Sequence, residues 1–268
     1  VLAVIRGGGD LATGVAWRLT RAGVAVVVTE LADPLTVRRT VSLSTAVIEG
    51  LVDVEGLVGR RAPDATGAVA VARRGEVGVV VSPSLPAVGA DVVVDARLAK
   101  RTLDTTIDDA PLVIGLGPGF AAGVDCHAVV ETLRGPRLGR ALWQGSAAPD
   151  TGTPGRIGAP GSEQGAERVL RAPADGAVTW RVGIGDRVDE GEVLGTVTAS
   201  GGISVEVTAP FAGVVRGLIR PGRSVTAGLK IGDVDPRLDC APHEISDKAL
   251  AVGGGVTEAV LTWWHRSR

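Results

Sequence analysis

Apolar residues along this chain fall into short runs separated by helix-length stretches, and the spacing of each run predicts its element. Leu2 to Arg6, Val24 to Thr29, Val77 to Val81, Val92 to Asp95, Leu112 to Leu116 and Ala141 to Gln144 are brief runs rich in valine and predict strands. Between the first two, Leu11, Val15, Leu19 and Ala22 keep helical spacing. Gly23 then stands where a helix C-terminus takes a left-handed residue. A second helix is predicted over Asp125 to Leu133. Strands alternating with helices over residues 1–150 predict an α/β domain built on a mainly parallel sheet.

The pattern changes after residue 146. Ala147 to Gly165, AAPDTGTPGRIGAPGSEQG, is dominated by Gly, Pro, Ala and polar residues and predicts an exposed linker. Beyond it lies an internal repeat. Ala172 to Val197 aligns without a gap onto Ala209 to Val234: Ala172 and Pro173 match Ala209 and Pro210, Gly176, Gly185, Gly191 and Gly195 match Gly213, Gly222, Gly228 and Gly232, and Val188 matches Val225. Glycine punctuation between short strands describes two interlocking halves, neither able to bury its apolar face alone. Residues 168–235 are therefore expected to form a small all-β domain. Residues 236–268 should turn helical and pack on the first domain. Ser246 and Asp247 would cap a helix through Lys248 to Val252, Gly253 to Gly255 would interrupt it, and Thr257 to Trp264 would resume it. Mid-helix glycines cost roughly 1 kcal/mol each relative to alanine, so three together ask for a reason such as close approach of another backbone.

Composition narrows the function classes. The chain has 268 residues, 45% of them apolar, which is ample for two cores. Its 28 basic and 30 acidic side chains leave a net charge of -2, so no global field argues for nucleic acid or an anionic membrane. No run approaches the ~18 apolar residues of a membrane span, and no signal peptide is seen, so no membrane association and a cytoplasmic location are expected. Cys126 and Cys240 are too few for a disulfide framework. With His127 and His243 they form no paired metal-ligand spacing, so no metal site is assigned. No catalytic residue is assigned either: there is no G-x-S-x-G, Walker A or H-E-x-x-H.

Candidate chemistry gathers at two glycine loops. The run VLAVIRGGGDLATG passes from a strand into Gly7, Gly8 and Gly9 and then into a helix; Gly7, Gly9 and Ala12 fill the Gly-x-Gly-x-x-(Gly/Ala) template that brings backbone N–H groups and a helix N-terminus to a phosphate. Asp10 and Thr13 belong to the same turn. The next strand ends at Glu30, about 20 residues on, where a carboxylate meets ribose hydroxyls in Rossmann-like folds. Arg38 and Arg39 follow at a position suited to a phosphate. In PLVIGLGPGF, Gly115, Gly117 and Gly119 follow a strand and should face the same carboxyl edge, so that the two loops bound a crevice. Arg6, Asp95, Arg97 and Lys100 stand at comparable strand ends. The same template also fits NAD or NADP, which leaves an NAD(P)-dependent oxidoreductase as the alternative.

Two resemblances add to this. The repeat resembles the barrel-sandwich hybrid of biotinyl and lipoyl carrier domains, which place a modified lysine on the hairpin between the halves. Here that hairpin, Thr198 to Pro210, reads TASGGISVEVTAP and has no lysine, which points away from carrier function and toward a structural or interaction role. The segments VIRGGGDLATGVAWRLTRAG, TELADPLTVRRTVSLSTAVIEG, VVVDARLAKR, VIGLGPGFAAGVDCHAVVETLRGPRLGR and ISDKALAVGGGVTEAVL resemble the YqeB-type accessory proteins of selenium-dependent molybdenum hydroxylases. That resemblance implies a role in maturing or inserting the molybdenum cofactor, carried as bound cargo, with the hydroxylase or other maturation proteins as partners. It also makes the two glycine loops, Glu30 and the arginine pair the candidate ligand contacts, with Cys240 beside them.

Overall fold

The computed structural model describes residues 1–101, 104–153, 155–158 and 164–267. Contacts divide the chain into two compact units. The first is Val1–Pro34, Val41–Asp150 and Ile245–Arg268; the second is Leu35–Thr40 and Thr151–Glu244. Residues 35–40 thus belong to the second unit, and the chain returns to the first at Ile245. The predicted linker lies partly outside the described residues, at 154 and 159–163.

The first unit is mixed α/β. Along the chain come β1 (Leu2–Arg6), α1 (Asp10–Arg21), β2 (Ala25–Glu30), α2 (Thr45–Glu49), β3 (Leu51–Val54), β4 (Leu57–Arg61), α3 (Ala65–Ala72), β5 (Val77–Val81), β6 (Val92–Asp95), β7 (Leu112–Leu116), β8 (Ala121–Ala122), β9 (Ala128–Val130), β10 (Ala141–Leu142), β11 (Gly145–Ser146) and, after the second unit, α4 (Asp247–Arg266). Nine strands form one sheet in the order β10-β9-β7-β6-β1-β2-β5-β4-β3. Pairing is parallel from β9 across to β4, with β10 and β3 antiparallel at the two edges. β8 and β11 form a separate antiparallel pair. Because side chains alternate across a strand, Ala3 and Ile5 join one core with Val26, Val28 and Ile114, while Leu2 and Val4 join the other with Val27 and Val113. A sheet buried on both faces needs the near-continuous apolar strands seen in the sequence.

The predicted helix over Asp125 to Leu133 is not formed. Those residues make a turn and then β9, which extends the sheet beside β7. Cys126, Val129, Val130 and Leu133 imitate helical spacing, yet Ala128 and Val130 face one core and Cys126 and Val129 the other. A short strand buried on both faces carries no period of its own, and pairing with β7 decides it.

The predicted break in the last helix is also absent. α4 runs unbroken over Asp247–Arg266, and Ser246 caps it by accepting a hydrogen bond from the Ala249 N–H. Two of its three glycines answer to close backbone approach. A Cβ on Gly253 would lie 2.4 Å from the Gly14 carbonyl oxygen of α1, and one on Gly255 would lie 1.9 Å from that of Gly139. The approach is reciprocal, since a Cβ on Gly14 would lie 2.4 Å from the Ala249 oxygen. Among the described residues no helix is long and apolar enough to cross a membrane.

The second unit realises the repeat. β12 (Val169–Arg171), β13 (Gly176–Trp180), β14 (Arg187–Val188), β15 (Val193–Thr198), β16 (Ser204–Thr208), β17 (Gly213–Leu218), β18 (Ser224–Val225) and β19 (Lys230–Asp235) form two four-stranded antiparallel sheets, β12-β19-β17-β14 and β16-β15-β13-β18. The repeat halves exchange strands: β14 of the first pairs with β17 of the second, and β18 of the second with β13 of the first. Val178, Leu194 and Val197 from one half and Val215, Ile231 and Val234 from the other close a common core. Neither half is complete alone, so the two stabilise together.

Candidate functional site

The first glycine turn sits at the carboxyl end of β1, where connection order reverses. From β1 the chain proceeds through β2 and β5 on one side, then returns to β6 and β7 on the other. Open α/β sheets bind ligands at such a reversal, outside the carboxyl ends of the strands. Gly7 has φ +92°, a conformation L side chains rarely adopt, and donates its N–H to the Thr29 carbonyl at 2.8 Å. Gly8 is packed from one side: a Cβ there would lie 2.9 Å from the Ser44 nitrogen and 3.1 Å from Glu30 Cγ and Val28 Cγ1. Its carbonyl accepts from the Ser44 N–H. Gly9 differs. It is the N-cap of α1, with no side-chain cap, and a Cβ there would meet nothing within 4 Å. Thr13 ties the turn to the following loop, donating from Oγ1 to the Gly9 carbonyl at 3.0 Å and accepting from the Leu43 N–H at 3.0 Å. Asp10 and Ala12 occupy the first turn of α1, Ala12 fully buried.

Glu30 closes the turn from the end of β2. Its Oε1 accepts from the Gly8 N–H at 2.9 Å and its Oε2 from the Leu31 N–H at 2.7 Å. The carboxylate thus stands beside the glycines, as its spacing predicts, and lies against the backbone of the turn.

The second loop reaches the same sheet edge, but its glycines are filled from within. A Cβ on Gly115 would lie 2.4 Å from Phe120 Cγ, one on Gly117 2.5 Å from Thr132 Oγ1, and one on Gly119 2.5 Å from the Arg101 nitrogen. The space between the two loops is crossed by residues 96–101. A Cβ on Gly7 would meet Ala96 and the Arg97 Cα at 3.3 Å, so this segment packs against both loops. Leu98 and Lys100 on it have positive φ, +53° and +62°. Charge pins it at the ends of β1 and β6. Arg6, 1% exposed, donates to Asp104 at 2.6 Å and to Thr105 Oγ1 at 2.7 Å; Arg97 binds both Asp95 and Asp104; and Thr105 donates to Asp95 at 2.6 Å. The hydrogen bond from Arg6, with that from Arg97, holds the Asp104 carboxyl far below the usual carboxylate range. Burial works against the Arg97 guanidinium, but its bonds to Asp95 and Asp104 prevail and raise it. Arg6, Asp95 and Arg97 were visible as strand-end charges; nothing in the sequence marked Asp104 or Thr105.

Comparison with known proteins places the chain. It is 44% identical over 269 residues to Uncharacterized protein YqeB of Escherichia coli (strain K12), across 99% of this chain and 48% of that protein. The chain is a relative of YqeB. It spans about half the length of that relative. Residues 169–234, the two antiparallel sheets, match the Biotin_lipoyl family, Biotin-requiring enzyme. Among solved structures, a succinylglutamate desuccinylase/aspartoacylase from Rhodobacter sphaeroides is 25% identical over 26% of this chain and 22% of that one, with a TM-score of 0.24. An aspartoacylase family protein from Mesorhizobium loti is 14% identical over 88% and 85%, with a TM-score of 0.31. Likenesses this low carry no argument about fold or activity.

Arg38 and Arg39 belong to the second unit, where Arg38 donates to the Glu244 carbonyl at 3.4 Å and Arg39 to that of Leu218 at 2.9 Å. The hairpin between β15 and β16, the position of the carrier lysine, ends in Ser200, Gly201 and Gly202 with Ile203 72% exposed. Cys240 is half-buried beside Asp235, and burial, with that carboxylate, pushes its thiol up to about 11. Burial likewise lifts Cys126 to about 11. Among the described residues no three His, Cys, Asp or Glu side chains gather as a metal site. A cavity of about 630 Å³ opens at the opposite, amino edge of the sheet, between Leu85–Ala90, Ile107–Pro111 and His127. His127 Nδ1 accepts from the Val113 N–H at 3.0 Å, and burial lowers its pKa.

Proposed function

We propose that the chain is an accessory protein with a Rossmann-like first unit that binds a phosphorylated pterin or nucleotide at the Gly7–Gly9 turn. Its role is in maturing or inserting the molybdenum cofactor of selenium-dependent molybdenum hydroxylases, with the cofactor as cargo and the hydroxylase or its maturation proteins as partners. The observation that supports it most is Gly9: a glycine at the N-terminus of α1, with open space where its Cβ would stand, at the reversal of strand order. Relatedness to YqeB and a carrier-like unit without lysine on its hairpin agree with an accessory role. Within this reading Glu30 meets the ligand's hydroxyl or amine donors, and residues 96–101, backed by Gly119 of the loop that carries Gly115 and Gly117, form the far wall.

Calorimetric titration with molybdopterin and its dinucleotide form tests the reading. Binding is expected, and Gly9→Val should weaken it about tenfold or more while lowering the melting temperature by only a few degrees, because its Cβ would meet nothing within 4 Å and the remaining cost is that of an apolar residue at an N-cap. Absence of binding by any pterin phosphate would sink the proposal. Glu30, standing at the end of β2 beside the glycines, gives the nicotinamide alternative its one specific support. Specific affinity for NAD or NADP in the same titration would favour an oxidoreductase.

A further inference from the structure

The cavity at the amino edge of the sheet has no part in the Gly7–Gly9 turn, and its polar groups are fixed by the strands around it. His127, just before β9, is held twice by β7: its backbone N–H donates to the Val113 carbonyl at 2.8 Å, and its Nδ1 accepts from the Val113 N–H at 3.0 Å. A ring nitrogen that accepts carries no proton, so the neutral imidazole holds its proton on Nε2, on the other side of the ring. Burial keeps the ring neutral by lowering its pKa, against the pull of the Asp108 carboxylate. Asp108 and Asp109 line the same cavity. Asp109 is already engaged, its Oδ2 accepting from the Thr106 N–H at 3.1 Å and its Oδ1 from the Thr106 hydroxyl at 3.0 Å. Asp108 is not: among the described residues neither its carboxylate nor Nε2 of His127 has a hydrogen-bond partner.

We propose that this cavity binds a small, planar, uncharged molecule that carries an N–H donor beside a carbonyl acceptor, the edge of a lactam or an amide. The ligand carbonyl accepts from the Nε2–H of His127, its N–H donates to Asp108, and its flat carbon body lies on Leu85, Pro86, Val88 and Pro111. The polar pair decides the class. Among the described residues two carboxylates and no lysine or arginine line the cavity, so an anion meets repulsion with no compensating charge. An ammonium ion would satisfy Asp108 but has nothing to accept from Nε2–H. A metal ion would need a lone pair on Nε2, and that nitrogen is the protonated one. Size and rigidity agree. The volume of about 630 Å³ is that of a small-molecule site. Leu85, Val88, Ala90 and Ala110 pack on the core cluster that holds Leu2, Val93 and Val113, and Asp91 ties this wall to β1, its carboxylate accepting from the Leu2 N–H at 2.8 Å and its N–H donating to the Leu2 carbonyl at 2.9 Å. The walls are thus formed before a ligand arrives, and binding costs little ordering.

Nitrogen-15 NMR of the full chain, labelled at its three histidines, tests this. His127, identified by its loss in His127→Asn, is expected as the neutral Nε2–H form, and 2-quinolone should shift its resonances alone, with a Kd of about a millimolar or better. N-methyl-2-quinolone keeps the carbonyl and lacks the N–H, and should bind at least about tenfold more weakly. Benzoate and benzylamine, an anion and a cation of similar size, should not compete. His127→Asn keeps an acceptor for the Val113 N–H and removes the Nε2 donor, while Asp108→Ala removes the acceptor from an exposed position. By calorimetry each should weaken 2-quinolone about tenfold, the second with little change in melting temperature. An Nδ1–H tautomer at His127 overturns the proposal, as does absence of 2-quinolone binding at this histidine. So does binding that is indifferent to N-methylation or to Asp108→Ala, or that benzoate or benzylamine matches.

Discussion

The two glycine loops at the carboxyl edge of the first unit share a sequence pattern and differ in what their glycines meet. In the first, Gly7 and Gly8 are held by neighbouring backbone, but Gly9 faces open space at the N-terminus of α1. In the second, Phe120, Thr132 and the backbone of Arg101 occupy the volume where Gly115, Gly117 and Gly119 would carry side chains. Glycine in one loop leaves room outside the protein surface; in the other it makes room for the protein itself. Spacing alone does not separate these uses, because both require the same absence of a Cβ.

The sharpest way to break this comparison is to fill each loop in turn. Gly119→Ala should cost the most, about 3 kcal/mol, since φ is +105° and the new Cβ would strike the Arg101 nitrogen. Gly8→Ala should cost about 1–2 kcal/mol through Ser44, Glu30 and Val28. Gly9→Ala should cost under about 1 kcal/mol, the modest penalty of alanine at an N-cap with ordinary φ. Chemical denaturation of the three variants gives the order directly, and equal losses at Gly119 and Gly9 would erase the distinction.

A second test addresses residues 96–101, which pack against both loops and are pinned by Arg6, Arg97 and Asp104. Asp104 has its pKa depressed in the folded state, first by the hydrogen bond from Arg6. Its contribution is therefore present above the ordinary carboxylate value of about 3.9 and fades as pH falls below it. Asp104→Asn should lower the melting temperature at neutral pH and flatten its fall between about pH 4 and pH 2. An unchanged acid limb would mean that the network does not hold the segment.

The smallest effect concerns the thiols. With Cys126 behind the second loop and Cys240 in the other unit both raised to about 11 by burial, thiolate is scarce near neutrality. Alkylation at pH 7.5 should run at least about tenfold slower than for a free cysteine of pKa about 8.5, and accelerate up to about pH 10. Rapid labelling of Cys126 would show that the region behind the second loop opens readily.

Much of the fold was legible because its determinants are local or repeated. The β1–α1–β2 unit follows from one apolar run, one helical period and Gly23; the two antiparallel sheets follow from the matched glycines of the repeat; the cap at Ser246 follows from residue type. The hairpin of β3 and β4 is hidden in the sequence because apolar Leu51 and Val58 stand at its more exposed positions and Gly59 at a buried one, so burial alternates along both strands while hydropathy does not. β9 was mistaken for a helix because four apolar residues happened to fall at helical spacing. α4 was expected to break because three glycines weaken an isolated helix, whereas in the unit two of them admit the backbones of Gly14 and Gly139. At the candidate site, spacing predicts Glu30 beside the first glycines, where it accepts from the Gly8 N–H, while Arg38 and Arg39 donate to carbonyls of the second unit that no local pattern announces.

By itself the sequence determined the elements whose stability is set by nearest neighbours along the chain, and it located the glycine turn, the repeat and the missing carrier lysine. Only the tertiary structure decided which glycines are filled and which are open, that residues 96–101 lie between the two loops, and that the last helix runs through its glycines. Those outcomes depend on backbones brought together from distant parts of the chain, and steric exclusion at a few ångströms leaves no trace in the local pattern of either partner.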